Sequence, residues 1–353
     1  MNDQPPARPV GIKPERAQNI EGYEVLRNIG RKGRDLTSQA SSKDSTADQN
    51  PAVSRETVSR ETGPDVDTPI AVAAERASQV LTPGGTGALP RPAQRRVLTV
   101  ANQKGGVGKT TSTVNLAAAL ALHGLGVLVI DLDPQGNAST ALGIDHRSGV
   151  PSVYEMLLGE VSLRDAIAES PNNKGLYCVP ATLDLAGAEI ELVSMVAREN
   201  RLRNAIDEEV LDEYGIDYVL IDCPPSLGLL TINAMVAARE VLIPIQCEYY
   251  ALEGVSQLLR NIELVQSHLN KELFVSTILL TMYDGRTKLA DQVADEVRKY
   301  FGDKVLSTVI PRSVKVSEAP GFAMTIIGYD PGSRGAMSYL DAGRELAHRG
   351  GQQ

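Results

Sequence analysis

Cysteine is scarce in this chain, and its few cysteines lie too far apart to act together. Only Cys178, Cys223 and Cys247 occur among 353 residues, and no two of them form a C-x-x-C pair. This spacing predicts no zinc site, iron–sulfur cluster or disulfide framework, and it is typical of a reducing compartment. We interpret Cys223 as a small packed residue, because no histidine lies near it in sequence to activate a nucleophile.

Long apolar runs and a signal-peptide pattern are also missing from the sequence. No run approaches the roughly 20 apolar residues that a helix needs to span a bilayer, so we expect a soluble, cytoplasmic protein without membrane insertion. The formal net charge is −9, and the first 96 residues are slightly basic, so the remainder is strongly acidic. Any contact with nucleic acid must therefore come from a local basic patch.

Composition divides the chain near residue 95. Residues 1–95 hold half of the prolines and one aromatic residue, Tyr23, among many polar side chains. Such a segment cannot bury enough apolar area to offset its ordering entropy, so we predict a disordered tail and linker. Thr68 and Pro69 can begin a short helix over 69–81, either a docking helix or a transient one. Residues 96–349 are long enough for one α/β domain.

From residue 97 onward, apolar β-rich runs alternate with helical patterns. This alternation predicts a mostly parallel central sheet with helices on both faces, and ligands then bind at the carboxyl ends of the strands. Strands are predicted over Val97–Ala101, Val127–Asp131, Leu176–Val179, Tyr218–Asp222, Val241–Gln246, Val275–Met282 and Val305–Ile310. Helices are predicted over Thr110–Leu122, Leu185–Val196, Leu227–Ala238, Leu252–Leu269 and Lys288–Phe301.

A glycine-rich turn separates the first of these strands from the first helix, with the sequence K-G-G-V-G-K-T-T. Glycines let the backbone approach a ligand closely, and the amides at a helix N-terminus attract anions. Lys109 can reach the β- and γ-phosphates of a nucleotide, and the Thr110 hydroxyl can bind Mg²⁺. The predicted phosphate-binding residues are Gly105, Gly106, Val107, Gly108, Lys109, Thr110 and Thr111.

The loop departs from the usual phosphate-loop pattern in two places. Gln103 stands where the first glycine is usual, and a second lysine, Lys104, lies at the mouth of the loop. This arrangement is the deviant form of the Walker A motif. Lys104 is either a solvated surface residue or a charge that completes the active site of a second copy of the chain, and the motif favours the second interpretation.

Two further strands end in aspartate. In D-L-D-P-Q-G-N, Asp131 and Asp133 point to the same side, and Asp133 can orient an attacking water and sense Mg²⁺. The alternative is an Asp-Pro turn without chemistry. Asp222 follows four apolar residues, as in a Walker B motif, and can hold Mg²⁺ directly or through water. Pro224 and Pro225 force the chain to turn there.

The motifs together resemble those of the ParA/Soj chromosome-partitioning ATPases. The resemblance covers residues 96–346 and excludes the tail. It implies a homodimer that forms with ATP and binds double-stranded DNA of the nucleoid without sequence preference. A ParB-type partner then stimulates a weak ATPase and releases the dimer. The resemblance rests on K-G-G-V-G-K-T-T, D-L-D-P-Q-G-N, I-D-C-P-P-S-L-G, P-I-Q-C-E-Y-Y-A-L-E-G, T-M-Y-D-G-R-T, I-P-R-S-V-K-V-S-E-A-P and Y-D-P-G-S-R-G-A.

The resemblance also implies roles for individual residues near the phosphates. Lys109 and Thr110 are expected to bind phosphate and Mg²⁺, Lys104 to act in the partner's site, and Asp133 to support hydrolysis. Mg²⁺ and ATP are the expected cofactors, with Thr110, Asp133 and Asp222 around the metal.

DNA contacts are implied for Arg286 in D-G-R-T and for Lys315 in P-R-S-V-K. Arg286 precedes a predicted helix, where a positive charge opposes the helix dipole, which favours a functional reason for it. The alternative is a solvated surface charge. Pro311 and Arg312 lie near where the family closes over the adenine, so Arg312 can serve either the nucleotide or DNA.

Val53–Thr57 and Val58–Thr62 repeat the sequence V-S-R-E-T, which is too short for a solenoid unit. The family's centromere-like site resembles TGTTTCACGTGAAACA, which encodes V-S-R-E-T when read as GTT-TCA-CGT-GAA-AC. Our hypothesis is that the repeat marks two partition sites within the gene. Chance duplication is the alternative, and codons that do not spell the palindrome would exclude the hypothesis.

Two other functions share parts of this pattern. A MinD-type ATPase has the deviant loop but is expected to end in an amphipathic membrane helix, whereas Ser333–Arg349 carries charges of both signs. A metabolic ligase of the dethiobiotin-synthetase type predicts turnover of a small acid or amine without DNA. Nitrogenase-reductase and iron–sulfur carrier types need paired cysteines, which the sequence lacks.

Overall fold

The computed structural model describes residues 87–249 and 251–350, together with residues 75 and 78. The V-S-R-E-T repeat and most of the predicted disordered tail lie outside the described residues. Within the predicted helix over 69–81, Glu75 and Ser78 have helical backbone. The other residues of that segment are not described.

Eight strands form one sheet in the order β3-β4-β2-β5-β1-β6-β7-β8. Every neighbouring pair is parallel except β3 and β4, which are antiparallel. The predicted mostly parallel α/β fold is confirmed. The strands are β1 (Arg96–Val100), β2 (Gly126–Asp131), β3 (Ala168–Glu169), β4 (Leu176–Val179), β5 (Ile216–Asp222), β6 (Glu240–Gln246), β7 (Phe274–Tyr283) and β8 (Val305–Pro311).

Helices cover both faces of the sheet, which explains why its central strands are apolar over most of their length. Leu98, Val129, Leu220 and Ile243 are fully buried on four neighbouring central strands. The helices are α1 (Lys109–Leu122), α2 (Asn137–Ala141), α3 (Val153–Leu158), α4 (Leu163–Ala166), α5 (Leu185–Val193), α6 (Arg201–Ala205), α7 (Glu208–Glu213), α8 (Leu229–Ala237), α9 (Ala251–His268), α10 (Lys288–Phe301), α11 (Val314–Glu318), α12 (Ile326–Tyr329) and α13 (Arg334–Gly350).

The C-terminal helix α13 is part of the core. Tyr339, Leu340 and Leu346 are almost completely buried on its inner face. The helix packs closely on α1, because a Cβ atom at Gly343 would lie 2.8 Å from the Cβ of Ala119. The apolar face of α13 is therefore used inside the domain.

The sequence patterns locate most of the long elements to within three residues, but they miss the 17-residue helix α13 and the short elements. The helix predicted to end at residue 196 ends at Val193. The two-residue strand β3 and helices such as α3 and α4 were not predicted, because elements this short carry too few residues to show a period. Local signals for α3 and α4 do exist. At the start of each helix, a serine (Ser152 or Ser162) and the acidic residue three positions later (Glu155 or Asp165) form a capping box.

Three arginines near the end of the predicted linker, Arg91, Arg95 and Arg96, are bound to the domain. Arg91 donates to Asp217 at 2.9 Å, and Arg95 donates to the Ile216 carbonyl at 2.9 Å. Arg96 is buried and forms a two-point ion pair with buried Glu240, at 2.6 and 2.8 Å. All three guanidinium groups therefore have partners at the amino end of the sheet.

Candidate nucleotide-binding site

The phosphate loop runs from the carboxyl end of β1 to the first turn of α1. Gly106 and Gly108 have φ values of 74° and 87°, which residues with a Cβ rarely adopt. Gly105 does not need a positive φ. Gly108 is the N-cap of α1 and no side chain caps that end, so the free amides of the first helical turn face the loop. This is the geometry that holds an anion.

Two side-chain hydrogen bonds tie the loop to the distant strands β6 and β7. Asn102 donates to the Pro244 carbonyl in β6 at 2.8 Å, and its Oδ1 accepts from the Lys104 amide at 3.0 Å. The Thr281 hydroxyl in β7 donates to the Val107 carbonyl at 2.8 Å. These bonds prevent the loop from closing on itself and preorganise it for a ligand.

Lys109 and Asp222 meet at the base of the loop. Lys109 is 7% exposed, and burial lowers the pKa of its ammonium despite the opposing charges of Asp222 and Asp133. Asp222 ends β5 with no exposed surface, and its Oδ1 accepts a hydrogen bond from Thr113 at 3.0 Å. The buried lysine and carboxylate thus share one site.

The free oxygen of Asp222 fits a bound metal ion. Oδ2 of Asp222 is buried and has no hydrogen-bond partner among the described residues. Burial and the charge of Asp131 raise the pKa of Asp222, while the Thr110 and Thr113 hydroxyls lower it. A buried oxygen next to a hydroxyl suits a hard cation such as Mg²⁺. The described residues contain no cluster of three or more His, Cys, Asp or Glu side chains, so a metal here needs phosphate or water ligands as well.

Asp133 lies just beyond the end of β2, as predicted, but the alternation does not continue past Asp131, where the strand ends. It is 8% exposed, and its Oδ1 accepts from the Gln135 amide at 3.0 Å. Asp131 is turned into the protein, where the Ser139 amide and hydroxyl donate to it at 2.9 and 2.7 Å. The first aspartate therefore fixes the turn, and the second borders the site near Lys109.

Lys104 lies in a different environment from Lys109. Its Nζ is 3.3 Å from Oε2 of Glu248, which follows β6, and its side chain is 35% exposed. The two lysines of the loop are thus in different environments, one buried beside Asp222 and one partly exposed.

The other predicted residues lie at the carboxyl ends of β7 and β8. Pro311 ends β8, and the Arg312 amide donates to the Tyr283 carbonyl at 3.1 Å. Arg286 and Lys315 flank this junction, one before α10 and one in α11. They lie on the far side of β6 from Asp133 and Asp222.

Sequence reasoning missed several residues that build the site. Asn102, Thr113, Ser139, Glu248 and Thr281 were not singled out. Thr113 has a local signal, because it lies one helical turn after Lys109. Glu248 and Thr281 lie at strand ends on the ligand side of the sheet, but their partners are more than 100 residues away in the chain.

The strand, glycine-rich loop and helix, with a buried lysine beside a carboxylate at the end of a neighbouring parallel strand, define a P-loop nucleoside-triphosphatase. A family model described as "AAA domain" matches residues 95–275. The sporulation initiation inhibitor protein Soj of Bacillus subtilis is 54% identical over 255 residues, which are 72% of this chain and 99% of that protein. The chromosome partitioning protein ParA of Caulobacter vibrioides is 50% identical over 254 residues, 72% of this chain and 94% of that protein. The chain belongs to the ParA/Soj family of P-loop ATPases.

Solved structures agree on the fold. A Mycobacterium smegmatis protein described as cobyrinic acid a,c-diamide synthase, with bound ADP and magnesium, aligns with a TM-score of 0.58 and 42% identity over 65% of this chain and 93% of that chain. The septum site-determining protein MinD from Pyrococcus horikoshii, complexed with Mg-ADP, aligns with a TM-score of 0.57 and 27% identity. The alignment covers 72% of this chain and 96% of that chain.

Proposed function

We propose that this protein is an ATP-dependent chromosome- or plasmid-partitioning ATPase. Its ATP-bound homodimer binds double-stranded DNA of the nucleoid without sequence preference, and a ParB-type partner releases it by stimulating ATP hydrolysis. The observation that carries the proposal is the separation of the two loop lysines. Lys109 is buried beside Asp222, whereas Lys104 is partly exposed at the rim, where a second copy can meet it.

The chemistry at the phosphates needs few protein groups. Lys109 and the loop amides bind the phosphates, while Thr110 and Asp222 hold Mg²⁺ directly or through water. Asp133 borders the same space and orients the attacking water. Lys104 from the second copy adds positive charge where negative charge develops in the transition state. Hydrolysis is thereby tied to dimerisation.

The DNA contacts come from a small basic surface on an acidic protein. The side chains of Arg286 and Lys315 are 89% and 60% exposed. Arg312, which lies between them in sequence, is also exposed. Contacts of such side chains to phosphates carry no sequence information and weaken with salt. This surface lies at the carboxyl ends of the strands, the same edge of the sheet as the nucleotide site.

DNA binding by the wild type and Lys104→Ala, measured with ATP, ADP and no nucleotide, tests the proposal. We expect binding only with ATP and Mg²⁺, weakening with salt and lost in the variant. Lys174→Ala is the matched control, because Lys174 is an exposed lysine just before the amino end of β4. Equal DNA binding in all nucleotide states would contradict the switch.

A membrane-cycling function of the MinD kind is the alternative that the MinD structure brings forward. The described residues contain no helix that is long and apolar enough to cross a bilayer. The apolar face of the final described helix, α13, is buried in the core. Co-sedimentation with anionic liposomes in the presence of ATP distinguishes the two functions, and we expect the protein to stay in the supernatant.

A further inference from the structure

Two of the three exposed cations assigned to DNA contact already have a carboxylate partner within the chain. Arg286 pairs with Asp284, and Lys315 pairs with Asp330. The two pairs lie on separate elements. Asp284 and Arg286 both lie in the turn before α10, whereas Lys315 lies in α11 and Asp330 directly follows α12. The same arrangement therefore occurs twice on one small surface.

The Asp284–Arg286 pair has two-point geometry. Nε and Nη2 of Arg286 lie 2.8 and 2.7 Å from the two oxygens of Asp284. The carboxylate is the fixed member, because its Oδ1 also accepts from the Arg286 amide at 3.1 Å. The Asp284 carbonyl accepts from the amide and hydroxyl of Thr287, the N-cap of α10, at 3.0 and 2.9 Å. Asp284 is 27% exposed, whereas Arg286 is 89% exposed.

The Lys315–Asp330 pair repeats this asymmetry. Asp330 is 25% exposed and Lys315 is 60% exposed. The backbone of Asp330 is held on both sides, since its amide donates to Ile326 and its carbonyl accepts from Ser333. In both pairs a flexible cation reaches over a held carboxylate.

Arg312 links the surface to the first pair. Its guanidinium helps Arg286 to lower the pKa of Asp284, so Asp284 faces two arginines. The Arg312 side chain makes no hydrogen bond to any described residue. Asp284 is therefore a negative charge close to two cations.

We propose that Asp284 and Asp330 act as internal counter-charges, which occupy the DNA-binding cations until a phosphate replaces them. This inference rests on the proposed DNA-binding function. Each carboxylate weakens the attraction of its cation for a single DNA phosphate, so high affinity requires several contacts at once, as two copies of the chain provide. The pairs thus make DNA binding depend more strongly on dimerisation.

Replacing each aspartate by asparagine tests the proposal with little change of shape. Asparagine keeps the oxygen that accepts from the Arg286 amide, removes the charge, and replaces the oxygen that accepts from Arg286 Nη2 by an NH₂ donor. We expect Asp284→Asn to tighten DNA binding of the ATP-bound protein by about three- to tenfold at constant salt, and Asp330→Asn to act in the same direction. The freed cation should also steepen the slope of log K against log salt, by up to about 0.9 for each added phosphate contact.

The chain offers a matched control in the Asp145–Arg147 pair. Arg147 donates to Asp145 through its Nε and Nη2 at 2.9 and 2.6 Å, and its amide donates to the same carboxylate at 3.2 Å. The spacing and geometry equal those of Asp284 and Arg286, but the pair follows α2. We expect Asp145→Asn to leave DNA binding unchanged.

The outcomes separate this inference from the proposed function. Unchanged or weaker DNA binding by Asp284→Asn and Asp330→Asn, with melting temperatures equal to the wild type, would overturn the counter-charge role alone. Equal tightening by Asp145→Asn would also overturn it, because any lost negative charge would then suffice. Failure of the wild type to bind DNA in every nucleotide state would overturn both proposals. In an Arg286→Ala background, the gain from Asp284→Asn should shrink.

Discussion

Lys104 of the phosphate loop and Glu248 at the end of β6 form an ion pair, with Nζ and Oε2 3.3 Å apart. The two residues are 144 positions apart in sequence, and both are partly exposed. The Gln246 side-chain amide also donates to Oε1 of Glu248 at 2.5 Å and holds the Glu248 side chain. Lys104 must leave this partner before it can enter the active site of a second copy.

Glu248→Gln should therefore strengthen ATP-dependent dimerisation. Exposed ion pairs are worth about 0.2–1 kcal/mol each, and a homodimer must break two of them, so we expect the dimer dissociation constant to fall by about two- to thirtyfold. Sedimentation velocity with ATP and Mg²⁺ measures the change, and Lys104→Ala in the same background should abolish the dimer. A weaker dimer in Glu248→Gln would show that the pair positions the lysine for its partner.

Asp133→Ala should separate binding from hydrolysis. Lys109, Thr110 and Asp222 remain in place to hold ATP and Mg²⁺, so the variant should still bind ATP and DNA. Without a carboxylate to orient the water, phosphate release should fall by at least about 100-fold, in the range of general-base contributions. Phosphate release assayed with DNA present gives the measurement, and hydrolysis at the wild-type rate would remove Asp133 from its role.

His123, at the C-terminal end of α1, should make stability depend on pH. Burial lowers the pKa of its imidazole below 6.5, and the charge of Arg344 lowers it further. Below about pH 6.5 the unfolded chain binds a proton at His123 that the native state excludes. The stabilising contribution of neutral His123 to the free energy of unfolding is therefore fully present above about pH 6.5. It is lost as the pH decreases towards the pKa of His123 in the folded state.

His123→Gln removes this titration and can keep the bond to the Ala119 carbonyl, which His123 Nδ1 approaches to 2.6 Å. We expect a smaller loss of unfolding free energy between pH 7 and pH 5 than in the wild type, measured by urea denaturation at each pH. Above pH 7.5 the two proteins should respond to pH in parallel. Identical pH profiles over the whole range would show that His123 does not contribute.

Ala323→Gly should stabilise the protein. Ala323 has a φ of 54°, a left-handed conformation that costs alanine about 1 kcal/mol more than glycine. We therefore expect the free energy of unfolding to rise by about 1 kcal/mol. Ala294→Gly, in the interior of α10, is the control and should lower it by at least about 1 kcal/mol, because glycine is a poor helix former and the buried methyl group is lost. Destabilisation by Ala323→Gly would show that the methyl group contributes more packing than strain.

Much of the fold and the phosphate site could be predicted from the sequence, because both depend on neighbouring residues. The loop from Gly105 to Thr111 is one continuous segment, and its turn and helix start are properties of local backbone chemistry. Asp133 and Asp222 could be placed beside it, since carboxyl ends of parallel strands share one edge of a sheet. The long strands and helices follow from their hydrophobic periods.

The tertiary structure alone decided which distant residues meet. No period in the sequence predicts that β1 lies between β5 and β6, or that Glu248 reaches Lys104 and Thr281 reaches Val107. The pairing of Lys315 with Asp330 is likewise invisible without the path of the chain between them. Local backbone preferences act over only a few residues. These contacts instead depend on how helices and strands pack across the whole domain, which only the folded chain determines.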